Sequence, residues 1–149
     1  MITVSDLNCK EENYTWWLNI MPDEMPRLSI LPKEVRMRLD YSPASLDVLE
    51  VYIRTNYTME EMKDRKNKFA RDLFARYVGE TLRKNVPGLY WSFDTEDDQS
   101  PFYGIPVLLT LGHEDHVPPM TPTLWVVSLI EKSEGGFLRG QVRPAKKAA

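Results

Sequence analysis

The chain has 149 residues, 42% of them hydrophobic and 28% charged, with a net charge of -3 and a single cysteine, Cys9. That length suits one domain, residues 1–149, with a core of its own, the charged fraction is too ordinary for wholesale disorder, and one cysteine excludes an internal disulfide and any multi-cysteine zinc site. No apolar run approaches membrane-spanning length, and the first residues show neither a basic n-region nor an apolar h-region, so a cytoplasmic chain that stays off the membrane is expected.

Along residues 1–22, Leu7, Tyr14, Trp17, Leu18 and Met21 fall at helical spacing after Ser5 or Asp6, while Tyr14, Trp16, Leu18 and Ile20 alternate as in a strand; a helix is the preferred reading. Pro22, Pro26 and Pro32 break the next ten residues into loop, so residues 1–34 are expected to wrap the body of the domain. Val35, Met37 and Leu39 alternate with Arg36 and Arg38, the pattern of an edge strand over 35–39. Ser42 then offers an N-cap and Pro43 a first helical residue, predicting a helix over 43–56 that buries Leu46, Leu49 and Ile53.

Thr58 and Glu61 form a capping-box pair, and the spacing predicts one long helix over 59–86, ended by Pro87-Gly88. Its apolar arc, including Met62, Phe69, Leu73, Phe74, Tyr77, Val78 and Leu82, is broad enough to bury most of the helix against a sheet. Gly79 in its interior, which weakens a helix by about 1 kcal/mol relative to alanine, implies that another backbone passes close.

Beyond Gly88 the period changes to two. Strands are predicted at 89–94 and 104–111, a third, apolar on both faces, at 123–131, and a fourth at 137–142 after a turn at 133–136; residues 143–149 are read as a frayed tail. The expected fold is therefore α+β, with a long helix plus shorter helices packed on one face of a four- to five-stranded, mainly antiparallel sheet. The edge strand at 137–142 would allow pairing with a twin in a homo-oligomer.

Charge is distributed unevenly. Between Lys84 and Lys132 there is no Lys or Arg, while Asp94, Glu96, Asp97, Asp98, Glu114, Asp115 and Glu131 lie there. Such a region repels nucleic acid and steers basic partners, which makes Asp94, Glu96, Asp97, Asp98, Glu114 and Asp115 the candidate contact surface, with Tyr90, Tyr103 and Trp125 as aromatic anchors. His113-Glu-Asp-His116 carries ligating side chains, but two histidines three apart in a proline-bounded loop, with no distant third ligand, read as a solvated loop; no metal or other cofactor is expected. Asp94 to Asp98 lacks the glycine and the distal glutamate of a calcium loop. Glu80, set between Arg76 and Arg83 on the long helix, reads as part of a surface ion network, and with Trp91 it would line a pocket if the sheet curved beneath that helix. No nucleophile elbow or phosphate-cradling loop occurs.

Leu-Asp-Tyr-Ser-Pro-Ala-Ser-Leu (39–46), Tyr-Val-Gly-Glu-Thr-Leu-Arg-Lys-Asn (77–85) and Pro-Phe-Tyr-Gly-Ile-Pro-Val (101–107) together resemble segments of small bacterial proteins, some of them similar to immunity proteins that neutralise polymorphic toxins. The resemblance spans roughly residues 36–110, implies kinship of fold, and carries over no catalytic residue. The expected function is that of a non-enzymatic binding protein of immunity type, occluding a basic protein partner through its acidic surface. The alternative is a small-ligand protein or enzyme with its pocket between the long helix and the sheet.

Overall fold

The computed structural model describes residues 30–93, 105–132 and 135–142, and its first named element is a short helix, α1 (Lys33–Arg36), where the alternation of residues 35–39 predicts a strand. The Pro32 carbonyl accepts from the N–H groups of Val35 (3.0 Å) and Arg36 (2.9 Å), and Leu39 N–H continues the turn onto the Arg36 carbonyl (3.1 Å). Val35 and Leu39, four residues apart, therefore rest on the core from one side, and Met37 between them is 72% exposed. Three alternating apolar positions fit both periods; which one wins is decided by what the core covers.

Tyr41 is the one non-glycine residue at positive φ (64°) among the described residues. Its N–H donates to Tyr77 Oη (2.9 Å), its ring stacks on that of Tyr77 (centroids 4.9 Å apart), and its carbonyl accepts from Asn85 Nδ2 (2.9 Å). These contacts hold a backbone conformation that a tyrosine adopts rarely. They also join segment 39–46 to segment 77–85. Helix α2 (Pro43–Asn56) starts immediately after, with Ser42 Oγ accepting from Ser45 N–H (3.2 Å), and buries Leu46, Leu49 and Ile53 as expected, together with Glu50.

The predicted long helix is two. Helix α3 (Met59–Lys63) has the Thr58–Glu61 capping box but stops at Asp64, whose ψ of 140° leaves the helical region. The Asp64 carboxylate then accepts from Lys66 N–H (3.0 Å) to start a 3-10 turn (Arg65–Asn67), and helix α4 (Lys68–Asn85) comes next. The carbonyls freed at the end of α3 are taken up by side chains: Asn67 Nδ2 donates to Glu61 (2.7 Å) and the buried Arg71 guanidinium to Met62 (2.9 Å). Asp64, whose side chain caps the 3-10 turn, makes the break inside an otherwise continuous pattern, with Asn67 reaching back to α3.

After Gly88, at φ +86°, strand β1 (Leu89–Phe93) pairs antiparallel with β2 (Pro106–Thr110), Leu89 opposite Thr110 and Trp91 opposite Leu108. Helix α5 (Pro122–Ser128) and a 3-10 turn (Leu129–Glu131) occupy the stretch where a central strand is predicted. Segment 137–142 forms a 3-10 turn (Arg139–Gln141) instead of a strand. The fold is still α+β, but the four- to five-stranded sheet is corrected to a two-stranded one with five α-helices among the described residues. With 137–142 not a strand, the edge expected to pair with a twin is not there. The physical reason lies in the apolar runs. A stretch such as Leu124 to Ile130, apolar at every position but Ser128, suits any fully buried element, and Thr121-Pro122 sets it up as a helix start.

Helix α4 takes the central place that the sheet was expected to hold. Every residue from Arg71 to Gly79 is buried, and the helix contacts α2, α3, α5 and β1. Tyr77, Phe74, Leu46, Leu49, Ile53, Met62, Leu108 and Leu129 are among the largest wholly buried side chains of one continuous apolar cluster. No helix among the described residues is long and apolar enough to cross a membrane.

Candidate functional site

Of the six acidic residues predicted to form a contact surface, Glu114 and Asp115 lie among the described residues and both are exposed; Asp94, Glu96, Asp97 and Asp98 lie outside them. The loop that carries the pair leaves β2 through Leu111, 69% exposed, and Gly112 at φ +80°. It closes on itself: His113 N–H donates to the Thr110 carbonyl (3.0 Å), and the N–H groups of His116 (3.0 Å) and Val117 (2.9 Å) both donate to the His113 carbonyl. Tyr90, on β1, reaches across to donate its hydroxyl to Glu114 Oε2 (3.0 Å). The residue's own amide, then the Tyr90 hydroxyl, hold the Glu114 carboxyl below its ordinary range, so it stays anionic. The ion pairs formed among the described residues engage Asp47, Glu50, Asp72 and Glu80, and none engages Glu114 or Asp115.

His113 and His116 flank this pair, both exposed. Among the described residues no group of three or more His, Cys, Asp or Glu side chains converges as a metal would require. Tyr103 lies outside the described residues. Trp125 is half-buried and meets Phe137 edge-on (centroids 6.5 Å apart), far from an anchor's exposed position.

Glu80 and Trp91, predicted to line a pocket between helix and sheet, are both brought to Arg76. Its guanidinium pairs with Glu80 (2.8 Å) and lies over the Trp91 ring (5.4 Å to the centroid), while Arg83 binds the other side of Glu80 (2.8 Å). The close passage that Gly79 implies is made by a side chain. A Cβ at position 79 would overlap Cη2 and Cζ2 of Trp91, so the indole fills the seam there.

A concavity opens elsewhere, along the outer face of α2. Val35 and Arg38 line it on one side and Ala44, Val48, Val51 and Tyr52 of α2 form the floor of an open groove of about 510 Å³. Val51 at its centre is 63% exposed. Asp47 Oδ2 is bound by Arg139 (3.0 Å), whereas its Oδ1 is buried with no hydrogen-bond donor in reach. The sequence assigns α2 one buried stripe, Leu46, Leu49 and Ile53; a second, largely exposed one, Val48, Val51, Tyr52 and Thr55, recurs at the same spacings of three and four and was missed.

Compared with protein-family models, with curated proteins and with solved structures, the chain finds no significant match in any of the three.

Proposed function

We propose that this chain is a non-enzymatic binding protein of immunity type, held in the cytoplasm, that occludes a basic protein partner through an acidic surface. The observation that carries the reading is the loop at Glu114 and Asp115: two exposed carboxylates, free of ion pairs with the described residues, on a stretch of sequence without a single Lys or Arg. Carboxylates with no cation beside them keep their field in solution and attract an opposite charge at long range. Exposed Leu111 beside them supplies apolar contact that charge alone lacks. The alternative, a pocket between the long helix and the sheet, has less in its favour, because Trp91 covers Gly79 and Glu80 is held between two arginines.

The test is affinity capture from an extract of the source cell on the immobilised full chain, in parallel with a Glu114→Lys/Asp115→Lys variant. The expected result is a basic protein that elutes with moderate salt from the native chain and is not retained by the variant. Retention of the same protein by both chains, or of acidic proteins only, contradicts the reading.

A further inference from the structure

We infer that the groove on the outer face of α2 is a second interaction surface, which takes an acidic amphipathic helix of a protein partner. Ala44 to Asn56 line it at successive helical turns, so it runs about 18 Å along α2, the length of about 12 residues of a docked helix. The floor is apolar. Thr55 Oγ1 and Asn56 Nδ2 at its far end donate to the carbonyls of Val51 (2.7 Å) and Tyr52 (2.9 Å) of the same helix. An elongated apolar floor of this kind suits the apolar stripe of a helix, with anchors at spacings of three and four.

The rim selects the charge. Arg38 lines the groove and is exposed, Lys33 and Arg36 are exposed on α1 next to the lining residue Val35, and none of the three forms an ion pair among the described residues. Of the carboxylates nearby, Asp47 is paired with Arg139, while Glu34 and Asp40, the latter accepting from Ser42 N–H (3.0 Å), keep their charge, so three cations stand against two unpaired anions. What the groove offers an incoming chain is therefore positive charge beside an apolar floor, the complement of a helix with an apolar stripe and flanking carboxylates. This surface involves no residue of the Glu114 loop, so the two proposals stand or fall separately.

The experiment is selection of a displayed library of helical peptides, about 16 residues long, on the full chain, with the selected peptides then measured by fluorescence anisotropy. Enrichment of peptides with an apolar stripe and net negative charge, weakened about tenfold by Val51→Asp through loss of one buried apolar contact, is the result expected. Arg38→Glu should weaken the same peptides and abolish their salt dependence, whereas Glu114→Lys should leave them bound. Enrichment of basic peptides, no enrichment, or binding indifferent to Val51→Asp overturns the inference. So does a native chain that light scattering shows to be a dimer broken by Val51→Asp, which would make a second copy the occupant. Val51 is solvent-facing, and an unchanged circular dichroism spectrum establishes that its variant is folded.

Discussion

Glu50 shows how one side chain settles the course of a distant segment. It lies 1% exposed on α2, pairs with Arg54 (3.3 Å), and accepts through Oε1 from the buried N–H of Leu138, 88 residues away (2.8 Å). Removing an acceptor from a buried donor forfeits about 1–3 kcal/mol. Glu50→Ala should therefore lower stability by that amount in urea unfolding and speed amide exchange at 135–142, with Glu50→Gln, which keeps an acceptor, losing less. Gly79→Ala is the second residue-scale case. Alanine is the better helix former by about 1 kcal/mol, yet its methyl would collide with the Trp91 ring. Overpacking of about 1–3 kcal/mol should outweigh propensity, so the variant should be less stable and its indole emission shifted; a more stable variant would show that the ring does not lie where described. Asp72 makes a prediction in pH. Burial raises its carboxyl above the ordinary range against the pull of Lys68 and Arg71. The folded chain thus keeps this proton to higher pH than the unfolded chain. The resulting stability is complete below the unfolded value of about 4 and is lost as pH rises through the folded value. Measured by urea unfolding from acid to neutral pH, Asp72→Asn should gain on the native chain as pH rises, and a constant gap would contradict this assignment.

At the scale of elements, local chemistry was legible where capping residues speak for themselves. Ser42-Pro43 and the pair Thr58 and Glu61 start their helices as predicted, and Ser42→Ala should cost about 1 kcal/mol of stability by removing the hydroxyl that shares Ser45 N–H with the Ser42 carbonyl. Strands β1 and β2 were legible from period-two alternation bounded by Gly88 and by the turn at Gly112. The errors fall where period is ambiguous. Val35 and Leu39 satisfy both a strand and a helical turn, and only the exposure of Met37 separates the two. Leu124 to Ile130 is apolar at every position but Ser128, so no pattern distinguishes a central strand from helix α5. The break at Asp64 was missed because the apolar spacing continues across it, while the capping that creates it depends on Asn67 and Arg71 reaching back to α3.

For the whole molecule, mistaking α5 for a strand turned a helix-centred body into a sheet-centred one. Helix α4 is surrounded along its middle, and the charged side chains buried there are partnered, Asp72 by Lys68, Arg76 by Glu80 and Arg71 by the Met62 carbonyl. The run without Lys or Arg is a matter of composition, and within it the structure leaves Glu114 and Asp115 exposed. The α2 groove was not legible, since a helix with two apolar stripes reads as simply well buried until its neighbours are known. The measurement that bears most directly on the proposed function is the association rate of the captured partner by stopped flow across ionic strength. The native chain should associate fast at low salt with a steep decline as salt increases, and Glu114→Lys/Asp115→Lys should associate slowly with a shallow one. Equal rates and equal salt slopes for the two chains would contradict the proposal that this surface draws in a basic partner.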